Sequence, residues 1–529
     1  MGWPELAACV GGARARFAVD AMSVRATQEA LLRSILMRHA GSACGRTHEF
    51  AGLRDLAAYR RAVPATDYET LAPAIAQMAG GAPRLLVDEP VVAFERTGGS
   101  TGGAKLIPLT ASGLGCLQRG LHAWLDDLCS ARPAATAGTS YWSISPVARA
   151  PEVTTGGMRV GLASDAEYFG TAATQIARVL CVSPAVAALT DIECWRAVTV
   201  QCLLADRRLA LVSVWSPTFW LELCRYAVTM RDELCAAIAA GRWVVPMPPE
   251  LTQWLPAPAA DPRRAAALKS ALGGAAPDWP AVWPQLALIS CWTHASSEPW
   301  AAQLARQFPN ALMQGKGLLA TEGIVSVPLC DGGDPVAAVS STVLEFEDDA
   351  GNFLACDEVV AQGEYAVLLT TSAGLYRYRL GDRVRVTGWW HGAPRLRLLG
   401  RTATDSDLCG EKLTEAFVMN CWAAFDGVTG RLVPRAMPTA GYEIVLDAAE
   451  HDTAGALRIA LRLDAALRAN PQYAYARDLG QLAPMAARRV ERLAARLQAL
   501  AVAQGQRVGD AKPAVLGRLG EPDLAGLAA

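Results

Sequence analysis

Apolar and polar residues change rhythm several times along this chain. Between 24 and 60, Leu31, Leu32, Ile35, Leu36 and His39 recur at helical spacing, so the stretch reads as helix. VVAFERT, starting at Val91, is strand-like, GGSTGG interrupts it, and AKLIPLT is strand-like again up to Thr110. Residues 165–240, rich in Ala and Leu with Arg, Asp and Glu interspersed, read as mostly helical. PMPPELTQWLPAPAADP (246–262) is a Pro-rich connector, and QLALISCW (285–292) a short buried strand. From 340 to 400 the pattern alternates. STVLEFEDDAGNFL predicts a hairpin turning at DDAGN. LYRYRL sets Tyr376, Tyr378 and Leu380 on one face and Arg377 and Arg379 on the other. RVRVTGWW alternates likewise, which places Gly381-Asp382 at a turn between two strands. The chain turns polar near 401–416. A compact α+β unit is expected over 417–529, ending in a helix at 483–503 with Val490, Leu493, Leu497 and Leu500 on one side. No internal repeat is visible.

Composition narrows the functional classes. A chain of 529 residues that is 52% hydrophobic has enough apolar surface for a large core and is no disordered segment. A formal charge of −2 argues against a general nucleic-acid binder. Fourteen Cys are scattered singly, with no CxxC, and the six His are isolated. Reduced intracellular thiols are expected, and a structural zinc site is not. MGWPELAACVGGARAR has Glu5 early and Arg late, the reverse of a secretory signal, and Leu6 breaks the myristoylation pattern. The longest uncharged stretches carry Pro, Ser, Thr, Gln or His, so no membrane span is expected and the cytoplasm is the expected location. Of 49 basic residues only five are Lys: Lys105, Lys269, Lys316, Lys412 and Lys512. Where a surface needs only positive charge, this chain uses Arg.

TGGSTGGAK (97–105) is the sharpest local feature. Backbone N–H groups of a Gly-rich loop approach phosphate oxygens closely, Ser100 and Thr101 add hydroxyl donors, and Lys105 adds charge. A P-loop fails, because Ala104 stands where GxxxxGK requires Lys. Gly98-Gly-Ser100-Thr-Gly102 matches the GxSxG of a serine-hydrolase elbow, but the helix that must follow is replaced by Gly102, Gly103 and the strand-like LIPLT with Pro108. A strand–loop–strand phosphate cradle and an ordinary Gly-rich turn stay open on this loop alone.

Four further segments bear on the choice: GKGLLATEG (315–323), YRYRLGD (376–382), GRTATDSDLCGEKLTE (400–415) and GDAKPAVLGRLG (509–520). With the loop, they occur in the order used by adenylate-forming enzymes. THEFAGLRDLAAYRRAVPATDYETLAPAI (47–75) and NPQYAYARDLGQLAP (470–484) extend the likeness. Essentially end to end, the chain resembles the auxin-responsive Gretchen-Hagen acyl-acid amido synthetases in their bacterial form.

The resemblance implies an α/β protein. A large N-terminal adenylation domain (1–404), with sheets flanked by helices and a β-barrel-like part, would be joined by a hinge (405–416) to a small mobile α+β domain (417–529). It implies ATP and Mg²⁺, a carboxylic acid activated as acyl-AMP, and an amine, usually of an amino acid, as acceptor, in a monomer. By motif position, Thr97, Gly99, Ser100, Thr101, Gly102, Gly103 and Lys105 would hold phosphates. Thr321 would touch the α-phosphate, with Gly323 closing its motif, and Glu322 would hold Mg²⁺. Asp382 would accept bonds from both ribose hydroxyls, with a surface ion pair to Arg379 or Arg383 as its plain alternative. Arg401 would face the nucleotide, Lys412 would contact phosphate during adenylation, and Lys512 is the matching lysine of the C-terminal domain. Trp142, Ser143 and His294 fall where this family lines its acyl pocket, against the plainer reading of packed core residues. The loop departs from the family in beginning Arg96-Thr97-Gly98-Gly99 rather than with an early Ser. Lys316 has no assigned role. The competing functions are an acyl-CoA or acyl-carrier ligase on the same fold, a serine hydrolase using Ser100, and an inactive relative that only binds.

Overall fold

The structure is a computed structural model. It describes residues 2–96, 105–143, 152–162, 165–401, 406, 408, 411, 413–425, 428–435, 440–478, 482–503 and 514–517. A four-stranded parallel sheet runs in the order Thr139–Trp142, Leu209–Ser213, Leu288–Cys291, Leu312–Gly315. Its two middle strands, LALVS and LISC, are buried throughout, as strands covered on both faces must be. One face joins the core that holds Trp124, Leu211 and Leu288. The other joins a second core with Tyr141, Val212, Ile289 and Cys291. The helix Ala111–Ala131 covers the first face. It starts where the strand Leu106–Thr110 stops, because the Thr110 hydroxyl accepts the Gly113 N–H at 3.0 Å and caps the first turn.

An antiparallel sheet of seven strands occupies Ser326–Arg401, with Ala393–Arg401, Tyr378–Trp390 and Glu364–Thr370 at its centre. The DDAGN hairpin forms as expected between Val343–Glu347 and Phe353–Ala355. Past 414, the strands Gly430–Arg435, Gly441–Asp447 and Ala486–Val490 pack with the helices Glu415–Trp422 and Thr453–Leu467 around a third core.

The order of elements departs from the sequence reading in four places. The stretch 24–60 is broken into Val24–Arg38, Ala43–Thr47 and Leu56–Ala62, with Ser42 and Asp55 capping new helix starts. Within 165–240, the run Leu209–Ser213 is a strand; a short continuous apolar run carries no period to tell strand from buried helix. The 483–503 segment is a strand, Ala486–Val490, followed by the helix Leu493–Ala503. Gly381-Asp382 is not a turn. One strand runs through it from Tyr378 to Trp390, and the register slips there, with Ala366 opposite Arg383 and Leu368 opposite Arg379. The slip is a β-bulge, and Gly381 at φ +83° takes the left-handed conformation that it needs. Gly381→Ala is expected to cost about 1–2 kcal/mol, read as a lower urea midpoint, because a Cβ disfavours that conformation. An unchanged midpoint would mean that the strand tolerates straightening.

Candidate active site

Strands Val91–Arg96 and Leu106–Thr110 pair antiparallel with Arg96 opposite Leu106, so the Gly-rich segment joins strand to strand. A nucleophile elbow requires a helix at that point, which leaves the serine-hydrolase reading without its scaffold. Thr97, Gly99, Ser100, Thr101, Gly102 and Gly103 lie outside the described residues. Lys105 stands at the base of the loop with its Nζ 5.1 Å from the centre of the Tyr68 ring. The Tyr68 hydroxyl accepts the Leu106 N–H at 2.9 Å, which fixes that ring against the loop's outgoing strand.

Two residues before Tyr68, Thr66 bridges to Tyr378: Thr66 N–H donates to Arg377 O at 2.9 Å, and Arg379 N–H donates to Thr66 O at 2.8 Å. The loop flank and the YRYRLGD segment are therefore tied through one short stretch of chain. Asp382 is 2% exposed and faces Arg401 across the sheet. The arginines beside it in sequence are engaged elsewhere. Arg379 makes a bidentate pair with Glu347 at 2.9 and 3.0 Å, and Arg383 bonds Asp349 at 2.8 Å. At 2% exposure Asp382 is not a surface residue. The Arg401 side chain lies outside the described residues.

Thr321 and Glu322 form the two-residue turn of a hairpin in which Ala320 pairs with Gly323. Glu322 is nevertheless 8% exposed. Gly323 sits so close to Thr371 that an added Cβ would meet its Cγ2 at 3.3 Å, and Thr371 N–H donates to Leu375 O at 2.9 Å. The ATEG turn thus rests on the start of YRYRLGD. Among the described residues no three His, Cys, Asp or Glu gather to hold a metal. A divalent ion at Glu322 would rely on one carboxylate plus phosphate oxygens, the donor set that suits Mg²⁺ carried in on a nucleotide.

Lys412 and Lys512 lie outside the described residues, but their flanks meet. The Glu415 carboxylate accepts the N–H groups of Val515 and Leu516 at 2.7 and 2.9 Å. Arg431 Nη1 donates to Ala514 O at 2.7 Å, and Leu432 bridges Leu516. Two motifs a hundred residues apart are pinned side by side. Glu411 is fully buried, accepts Leu408 N–H at 2.8 Å and takes the Tyr442 hydroxyl, while Leu413 joins the third core.

The acyl-pocket candidates separate. Trp142 ends the first parallel strand between Trp124 (5.5 Å between centroids) and Phe169 (5.1 Å). Ser143 follows, its buried hydroxyl without a partner among the described residues. His294 has a charged neighbour. Its Nε2 lies 3.1 Å from Asp334, which Arg397 also approaches at 3.3 Å. That trio lines a groove of about 340 Å³ together with Met313 and Gly315. The alternate positions of the same strand, Gln314 and Lys316, point toward the Ala111–Ala131 helix instead. The His294 contact is the first of the bonds that hold the Asp334 carboxyl far below the usual range.

Two family models match the chain: the GH3 family N-terminal domain over residues 13–313 and the GH3 family central domain over residues 340–401. The chain belongs to the GH3 family. A probable indole-3-acetic acid-amido synthetase GH3.12 of Oryza sativa subsp. japonica is 27% identical over 426 residues, 71% of this chain and 68% of that one. The fold matches the solved AtGH3.15 acyl acid amido synthetase in complex with 2,4-DB. The TM-score is 0.81 at 20% identity, covering 96% of this chain and 94% of that one. A 2-hydroxyisobutyryl-CoA ligase in the postadenylation state shares the fold more distantly, at TM-score 0.54, 13% identity and coverage of 88% and 85%.

This GH3 chain also buries polar residues that sequence reasoning left without a role. Lys316 is 8% exposed, and its Nζ donates to Ser213 Oγ at 2.6 Å. The ammonium lies 5.2 Å from the Trp124 ring centre and 5.1 Å from that of Trp215. Burial pulls its pKa down to about 7. Ser290 Oγ, in register with Ser213, is buried with no partner among the described residues. The scarcity of Lys was the available signal for Lys316; nothing in the sequence marked Ser213, Ser290 or Asp334.

Proposed function

We propose that this chain is a ligase that uses ATP and Mg²⁺ to activate a carboxylic acid and passes the acyl group to an amine, that of an amino acid, forming an amide. The observation that carries the reading is GH3 membership across 13–313 and 340–401. The ties that draw the loop flank, the ATEG turn and the Asp382 bulge together support it. First, a carboxylate oxygen attacks the α-phosphorus of ATP, the bond to the bridging oxygen breaks, and pyrophosphate leaves. Then the amine nitrogen attacks the acyl carbon, AMP leaves with the electrons of the broken C–O bond, and the nitrogen gives up a proton.

The chain's residues bind and neutralise. Thr97, Gly99, Ser100, Thr101, Gly102, Gly103 and Lys105 hold the β and γ phosphates, and Thr321 the α-phosphate. Asp382, buried on its bulge, accepts the ribose hydroxyls, with Arg401 across the sheet facing the nucleotide. Glu322 would hold Mg²⁺, which would supply neutralisation of phosphate charge. Lys412 touches phosphate during adenylation, and Lys512 is the matching lysine of the C-terminal domain, which turns between the half-reactions. Domains of 1–404 and 417–529 with a hinge at 405–416 suit this cycle. The packing of Glu411 and Leu413 with the C-terminal sheet supports a pivot at the beginning of that hinge. The enzyme acts as a monomer in the cytoplasm, a location that the described cysteines, all of them free, support.

Carboxylate-dependent exchange of labelled pyrophosphate into ATP, over a panel of acids, tests adenylation. Exchange is expected with at least one acid, and its absence with all of them refutes the reading. Amino acids are then offered against CoA. An amide is the expected product, and a thioester would favour the chemistry of the CoA ligase that shares the fold.

A further inference from the structure

In parallel sheets, residues in register project from the same face. Trp142, Ser213, Ser290 and Gln314 form one such row across the four-stranded sheet, and Lys316 lies one step beyond it on the same side. The row lies at the carboxyl ends of the strands, where open α/β sheets bind their ligands. Its walls are aromatic: Trp124, Trp142, Phe169 and Trp215, of which Trp142, Phe169 and Trp215 are partly exposed. Its floor is polar. Ser213 Oγ serves Lys316, Gln314 takes the Trp124 indole N–H at 3.1 Å, and Ser290 Oγ has no partner among the described residues. No carboxylate pairs with Lys316 among the described residues. An ammonium buried against two rings and a single hydroxyl is incompletely compensated, and an idle buried hydroxyl beside it is a second polar group in need of a partner.

We infer that Lys316, with Ser213 and Ser290, is a specificity site for an anionic group on the acyl acid other than the carboxylate that reacts. The substrate class is then a dicarboxylic acid with an apolar or aromatic body. This deepens the proposed ligase reading and rests on it. The body packs on the tryptophans, the far carboxylate accepts from Lys316 Nζ, and a serine hydroxyl donates to its second oxygen. Ligand binding also recruits a proton. With the pKa near 7, the free lysine is largely neutral above neutrality, and an anion beside it restores the charged form. The ionisable group acting on it among the described residues is the Cys291 thiol, kept neutral because burial pushes it up to about 12.

Matched acids test this: phenylacetate against 1,4-phenylenediacetate, and hexanoate against adipate. Binding is followed by titration calorimetry in buffers of different ionisation enthalpy near pH 8, alongside pyrophosphate exchange. The wild type is expected to prefer a diacid and to take up close to one proton on binding it. Lys316→Met keeps length and apolar bulk, so it is expected to melt no lower than wild type while losing about 100-fold in diacid binding, the scale of a charged hydrogen bond. Its monoacid binding should stay within about threefold of wild type. Equal preference within each pair, no binding of any pair, or equal losses for both members in Lys316→Met would overturn the proposal. Diacid binding with proton uptake but no exchange overturns the ligase reading and leaves the site standing. Exchange that favours monoacids does the reverse.

Discussion

Glu322→Gln is expected to slow acid-dependent pyrophosphate exchange by about 10³-fold, the scale of losing one preorganised charged contact to a developing transition state. The amide keeps the volume of the carboxylate, removes its charge and turns one acceptor oxygen into a donor. The hairpin turn should therefore survive, and thermal melting should be little changed. Raising Mg²⁺ is expected to recover part of the rate, because the phosphates still bind it. Exchange at the wild-type rate would remove Glu322 from the metal site.

Glu345→Leu is expected to destabilise the fold by about 3–5 kcal/mol, the cost of leaving buried charge unpaired. Glu345 is 1% exposed and receives two arginines, Arg60 Nε at 2.7 Å and Arg377 Nε at 3.0 Å. Arg377 is 3% exposed, sits at φ +47°, and also donates to Val63 O at 2.9 Å. It lies five residues before Asp382, on the segment that Thr66 grips. The variant should thus lower the first urea transition and also raise KM for ATP as the bulge loses its anchor. Glu345→Leu combined with Arg377→Met should recover part of the stability, since the fully buried charge is then gone and only Arg60, partly exposed and 3.8 Å from Glu358, has lost its partner. A double variant no more stable than Glu345→Leu alone would contradict this account.

Much of the fold was legible where pattern and turn chemistry agree. The strands around the Gly-rich loop, the DDAGN hairpin and the buried LISC strand all carry local signals that no tertiary contact reverses. The strand Leu209–Ser213 was hidden because a run buried on both faces loses its alternation. The bulge at Gly381-Asp382 was hidden because Gly-Asp serves a turn and a left-handed bulge equally well in isolation. His294 looked like a pocket residue by position. Its partner Asp334, 40 residues further on, is brought to it by the fold alone.

The sequence by itself determined the family, through five motifs in order, and the chemistry that those residue types can serve. Its lysine scarcity also pointed to Lys316 without saying what Lys316 does. Only the tertiary structure decided the surroundings. It put Lys316 against two tryptophans and against Ser213, 103 residues upstream, engaged Arg379 with Glu347 and Arg383 with Asp349, and joined the flanks of Lys412 and Lys512 through Glu415. The physical reason is that a residue's charge state and partners depend on what the fold packs against it. Register across a parallel sheet and burial under a helix are set by contacts far apart in the chain, which local pattern does not encode.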